Sequence, residues 1–142
     1  MKFVVKRGLN SKTARTNIAQ KWADWLETAY VERTWYPNLE DMLAGEEAEG
    51  ILIATMEGPQ IFTEEGLLKY HPGMAVLRAH KLELGEKDNF VTACGLQSGM
   101  KFLDCTLGLG GDAAIASLVV GKTGQVEALE ASKPLWLLTA AG

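Results

Sequence analysis

Asp104-Cys105-Thr106-Leu107-Gly108-Leu109-Gly110-Gly111-Asp112 places three glycines within four residues, at a point where the apolar pattern of the chain changes period. Before it, Lys101–Cys105 has the length and composition of a strand. After it, Asp112–Val120 has the small and branched apolar residues of a buried helix, and Gln125–Leu129 is a second strand that ends at Glu130. Strand, turn, helix and strand in this order make a β-α-β unit. Such units bind ligands in the crevice at the carboxyl ends of their strands. Glycines there let the backbone turn tightly and approach a ligand where a side chain would collide. The helix N-terminus favours a carboxylate or phosphate. Glu130, 22 residues after Gly108, is placed to accept hydrogen bonds from both hydroxyls of a ribose.

Three nucleotide readings compete for this segment. A phosphate loop fails: Gly121-Lys122-Thr123 imitates its end, but the required upstream glycine position is Ala116. A dinucleotide fingerprint passes formally, because Gly108-x-Gly110-x-x-Ala113 is an allowed variant. S-adenosylmethionine fits better. It calls for an acid at the end of the first strand, and Asp104 is there. A carboxylate in that place repels a pyrophosphate but suits the cationic methionine end of that cofactor.

The rest of the chain supplies a separate α/β unit. Lys2–Lys6 is a short strand, and Ser11 is an N-cap for an amphipathic helix over Ser11–Thr28, with Ala14, Ile18, Trp22, Trp25, Leu26 and Ala29 on its apolar side. Trp22 and Trp25 are expected in its core. Tyr30–Thr34 is rich in aromatic and β-branched residues and is expected to be a strand. Asn38 caps a short helix from Leu39 to about Ala48. Ile51–Thr55, Gln60–Thr63 and Leu67–Tyr70 are strands joined by tight turns. His71-Pro72-Gly73 punctuates the chain, so the expected domains are residues 1–70 and 71–142. In the second, Met74–Leu84 and Phe90–Cys94 are helices, the latter capped by Asp88. Ser132 caps a last helix with Pro134 in its first turn.

Composition narrows the class. Apolar residues make up 47% and charged residues 23%, as in globular domains, and no apolar run approaches the ~20 residues of a membrane span. The first six residues are too short for a signal h-region. A cytoplasmic protein is the expectation. Cys94 and Cys105 form no C-x-x-C and, with His71 and His80, no zinc set, so two reduced, packed thiols are expected and no metal. Net charge is −4, but residues 1–21 hold Lys2, Lys6, Arg7, Lys12, Arg15 and Lys21 with no acid. That cluster is either a phosphate-facing patch or a solvated helix face. His71 and Arg78 are candidates to reach a substrate phosphate or a cofactor carboxylate. Glu127 alternates away from Ala128 and is expected to face solvent or a cross-strand neighbour.

Asp104–Asp112 resembles motif I of class I S-adenosylmethionine-dependent methyltransferases. With His71-Pro72-Gly73-Met74-x-x-x-Arg78, Gly99–Leu109 and Val126–Glu130, the likeness narrows further. These segments are similar to a bacterial family of methyltransferases related to the small-subunit ribosomal RNA guanine-N2 methyltransferases. Thr106 stands where many methyltransferases have the first glycine, and this subfamily resembles the Thr version. The resemblance implies S-adenosyl-L-methionine as cofactor and structured RNA as acceptor. Carried over residue by residue, it implies contacts from Asp104, Thr106, Gly108, Gly110, Gly111, Asp112, Glu130 and Ala131. No catalytic residue is assigned.

The expected fold is therefore α/β: a small N-terminal α/β domain, then the first β-α-β unit of a Rossmann-like methyltransferase sheet, truncated after two strands. Such a half-sheet would leave Ile115, Leu118, Val119, Leu135, Trp136 and Leu137 poorly covered. It would also expose an open edge for self-association or for a missing C-terminal part. The chain alone is then expected to be inactive. The alternatives are a nucleotide- or RNA-binding module without turnover, and a NAD-binding protein.

Overall fold

The computed structural model describes residues 2–9 and 13–141. The protein is mixed α/β, and its internal contacts divide the chain between Tyr70 and His71 into two units. The first unit runs to Tyr70, and the second is His71–Thr139.

The first unit is built on a four-stranded sheet, β1 (Phe3–Arg7), β2 (Gly50–Thr55), β3 (Gly58–Thr63) and β4 (Gly66–Lys69), in that spatial order. β1 and β2 are parallel, and the connection between them carries helices α1 (Thr13–Leu26) and α2 (Leu39–Gly45). Both later pairs are antiparallel. β2 is an apolar run because both of its faces are covered. Ile51 and Ile53 join Val4 of β1 and Met42 and Leu43 of α2 in one core. The opposite parity, Val5, Leu52 and Ala54, is buried on the side where α1 packs. Asn38 caps α2, its Oδ1 accepting from the Asp41 N–H at 2.7 Å.

Two expectations for this unit are corrected. Tyr30–Thr34 does not form a strand. Tyr30 makes a single parallel bridge to Val5, and a 3₁₀ turn follows at Arg33–Trp35. Glu32 diverts the chain: its carboxylate accepts from Arg7 Nε and from the Tyr30 hydroxyl, both at 3.0 Å. Trp25 is not core but 43% exposed, and Trp22 is half-buried. Among the residues of α1 whose side chains are described, Ala19 and Ala23 are buried, four apart, and their small side chains let the helix backbone lie close to the sheet. The expected cap Ser11 lies outside the described residues.

The second unit holds α3 (Gly73–Glu83), α4 (Asn89–Cys94), β5 (Lys101–Asp104), α5 (Gly111–Val120), β6 (Gln125–Ala128) and α6 (Lys133–Ala140). β5 and β6 are parallel, with Phe102 beside Val126 and Asp104 beside Ala128. Helix α5 crosses between them and packs on both. Its Ile115, Ala116 and Val120 are buried, and so are Leu137 and Leu138 of α6. The expectation of poor cover is thus corrected for Ile115 and Leu137, because α5 and α6 turn these residues inward. Leu118 and Trp136 are exposed, as are Leu103 and Leu129 of the strand segments. The cysteines are free but not packed. Cys105 begins the loop after β5, Cys94 ends α4, and both are exposed. No helix among the described residues is long and apolar enough to cross a membrane.

Between α5 and β6 the chain turns in a 3₁₀ segment, Gly121–Thr123, with a close approach at Gly124. A Cβ there would lie 2.4 Å from Val120 Cβ and 2.7 Å from the Met100 carbonyl oxygen. The second contact is backbone and cannot rotate away. Gly124→Ala should therefore destabilise the protein by about 1–3 kcal/mol in urea denaturation. Gly111→Ala, whose Cβ would meet nothing within 4 Å, should not destabilise it.

Candidate functional site

The carboxyl ends of β5 and β6 are tied together beyond the ladder itself. The Leu129 N–H donates to the Asp104 carbonyl at 2.7 Å, and the Leu107 N–H donates to the Leu129 carbonyl at 2.8 Å. These bonds bring the glycine loop and Glu130 to one end of the sheet. Gly108 and Gly110 adopt positive φ, 53° and 75°, which glycine takes without a Cβ clash. Gly110 is also the cap of α5, and its carbonyl accepts from the Ala114 N–H at 2.9 Å. Thr139 donates its hydroxyl to the Gly108 carbonyl at 2.6 Å.

Three carboxylates meet this loop. Asp104 is buried at the end of β5, and its Oδ1 accepts from the Thr106 N–H at 2.9 Å. Glu130 accepts from the Gly108 N–H through Oε2 and from the Ser132 N–H through Oε1, each at 2.9 Å. Those donors, Ser132 first and then Gly108, hold its carboxyl below the usual glutamate range. Asp112 lies in the first turn of α5, where the helix dipole favours an acid.

Arg78 meets Asp112 from α3, Nη1 donating to Oδ1 at 2.6 Å. Its other nitrogens grip Asp88 in a fork, Nε to Oδ2 at 2.8 Å and Nη2 to Oδ1 at 3.1 Å. Asp88 also caps α4 by accepting from the Phe90 and Val91 N–H groups. The Phe90 ring lies 5.5 Å from the guanidinium carbon and meets Phe102 of β5 edge to face. Arg78 is thus engaged by two carboxylates and a ring, and the carboxylates raise its pKa, the Asp88 hydrogen bonds most of all. The same hydrogen bonds, above all, hold Asp88 down to about 2.

Seven of the expected cofactor residues, Asp104, Thr106, Gly108, Gly110, Gly111, Asp112 and Glu130, are therefore gathered in one loop and its partners, and Ala131 follows as an exposed residue. His71 is exposed, lies against Gly73 and joins none of these hydrogen bonds. Glu127 is exposed and accepts from the Gln125 side chain at 2.8 Å. His80 is exposed as well. Among the described residues no group of three or more His, Cys, Asp or Glu is placed to hold a metal. The sequence reading saw Asp88 as a cap but missed it as the main partner of Arg78. Ten residues of separation place that pair outside any helix-face rule, so no local signal was available.

No protein-family model matches the chain, and no solved structure matches it. It is similar to the uncharacterized protein YpiP of Bacillus subtilis (strain 168), with 39% identity over 105 residues. That match covers 73% of this chain and 40% of the relative, so the chain spans about two fifths of the length of the curated relative it matches.

The Arg78–Asp88 pair makes stability depend on pH. The folded pKa of Asp88 lies below its ordinary 3.8, so its contribution is fully present above pH 4 and is lost as pH falls toward 2. Asp88→Asn should destabilise the protein at pH 7 by about 1–3 kcal/mol, because Arg78 loses a charged acceptor. It should also flatten the acid limb of the stability curve between pH 4 and pH 2, read by urea denaturation at each pH.

Proposed function

We propose that the His71–Thr139 unit holds S-adenosyl-L-methionine and serves a methyltransferase whose acceptor is structured RNA such as ribosomal RNA. The observation that carries this reading is the carboxylate frame of the glycine loop. Glu130 already accepts from the Gly108 N–H, which a pyrophosphate would otherwise take, and Asp104 adds a second negative charge at the strand end. A dinucleotide meets repulsion there. A nucleoside with a free ribose diol and a cationic amino-acid end meets acceptors.

The residues fit that cofactor. Each carboxylate oxygen has two lone pairs, so Glu130 can accept from ribose hydroxyls while keeping its two backbone donors. Asp104 uses Oδ1 on the Thr106 N–H, and Oδ2 remains for an ammonium group. Gly111 has helical backbone, and a Cβ on it would meet nothing of the protein, so the loop is open to a ligand on that side. When bound, the cofactor supplies an electrophilic methyl group on its sulfonium. The protein's part is to orient it through the loop, with Arg78 bracing Asp112 at the start of α5 and tying it to Asp88.

Calorimetry with S-adenosylhomocysteine and with NAD tests the cofactor. The expected result is binding of the first and not the second. Glu130→Ala should weaken it about 10- to 100-fold and Glu127→Ala less than about twofold. Gly111→Ala should lose affinity without losing stability. Equal affinity of the Glu130 and Glu127 variants, or preference for NAD, would overturn the assignment. The acceptor is tested with a protein of YpiP's length: methyl groups should pass from labelled S-adenosylmethionine to ribosomal RNA, and cofactor binding without transfer to RNA would leave a non-catalytic binding module.

A further inference from the structure

The sheet of the first unit breaks its own apolar pattern in one row. On the face toward α2, Val4, Ile51 and Phe62 are neighbours across β1, β2 and β3. Met42 and Leu43 belong to the core that covers them. One pleat further along the same face, the row is Lys6, Ile53 and Gln60. This second row lines a cavity of about 290 Å³, with Ile53 shared between the cavity wall and the core. Lys6 lines that cavity although it is only 4% exposed. A lysine at a core-facing position on a buried strand is costly, and proteins place one there where an acceptor is met. Lys6 also has an interaction within the chain, so a ligand adds to its surroundings and need not supply all of them.

The other walls define what fits. Tyr36, Leu39, Met42 and Ile53 give the cavity an apolar body. The Tyr36 hydroxyl is turned to Glu46, at 2.8 Å, and the Thr55 hydroxyl donates to the Gly58 carbonyl at 2.7 Å. Asn38 spends its oxygen on the Asp41 N–H, which leaves its amide N–H₂ as a donor. Among the described residues no acidic one lines the cavity, in a chain whose net charge is −4. One cation, the Asn38 amide donor and apolar walls match a ligand with a single negative charge. Phosphate sites instead assemble several backbone N–H groups or an arginine fork. The volume lies just below the usual range for ligand pockets, about 300–1,000 Å³.

We propose that this cavity is a binding site for a small organic carboxylate with an apolar body, its carboxylate directed to Lys6. The site lies wholly within the first unit and stands apart from the cofactor reading of the second.

The test is a titration of the ¹⁵N-labelled protein with indole-3-acetate and, separately, its neutral counterpart indole-3-acetamide, followed by amide NMR shifts. Indole-3-acetate should give saturable shifts at Lys6, Leu39, Ile53 and Gln60, and should bind more tightly than the amide. Lys6→Met should weaken the acid about tenfold and leave the amide within about twofold. Leu67→Trp, at the exposed rim, should block both ligands in a folded protein, and it serves as the test should Lys6→Met fail to fold. Absence of saturable shifts at these residues, equal affinity for acid and amide, or unchanged binding in a folded Lys6→Met or Leu67→Trp variant would overturn the proposal.

Discussion

Parallel strand pairing is the constraint from which both halves of this protein follow. Neighbouring parallel strands cannot be closed by a hairpin, because the chain must return to the starting end before it pairs again. In the first unit α1 and α2 fill that return between β1 and β2. In the second, α5 fills it between β5 and β6. The return also leaves the carboxyl ends of both strands side by side. At β5 and β6 those ends are locked by the Asp104–Leu129 and Leu107–Leu129 backbone bonds. The glycine loop and Glu130 have no other place to go than against each other.

That juxtaposition sets the electrostatics of the loop. Backbone N–H groups at a strand-to-helix turn make an anion site when nothing else occupies them. Here Thr106 donates to Asp104, and Gly108 donates to Glu130. Two of the loop's donors are thus engaged by the chain's own acids, at the places nearest the strand ends. Arg78 does not reverse this, because its charge is divided between Asp88 and Asp112 and its face lies on Phe90. Its role is to join α3, α4 and the start of α5.

The elements were legible in the residues wherever local chemistry decides the backbone. Asn38 and Asp88 cap the helices that follow them, Gly95 takes the left-handed conformation at the end of α4, and the strand, glycine turn and helix around Gly108 appear where the change of period places them. The failures share a cause. Tyr30–Thr34 has strand composition, yet a side-chain network through Glu32 and a 3₁₀ turn leave it one bridge. The tryptophans of α1 look like core by size and spacing. The sheet selects Ala19 and Ala23 instead, because the closest approach of a helix to a sheet is made by small residues.

The sequence by itself determined the order of elements, the acidic and glycine character of the loop, and the position of Glu130 at a strand end, since all three are properties of neighbours along the chain. Tertiary structure alone decided which groups those acids bind. Glu130 reaches Gly108 across 22 residues, Arg78 reaches Asp112 across 34, and Lys6 meets Gln60's row through β2. Hydrogen bonds and burial depend on distance in space. That distance is fixed only when crossover helices and strand register bring remote segments together.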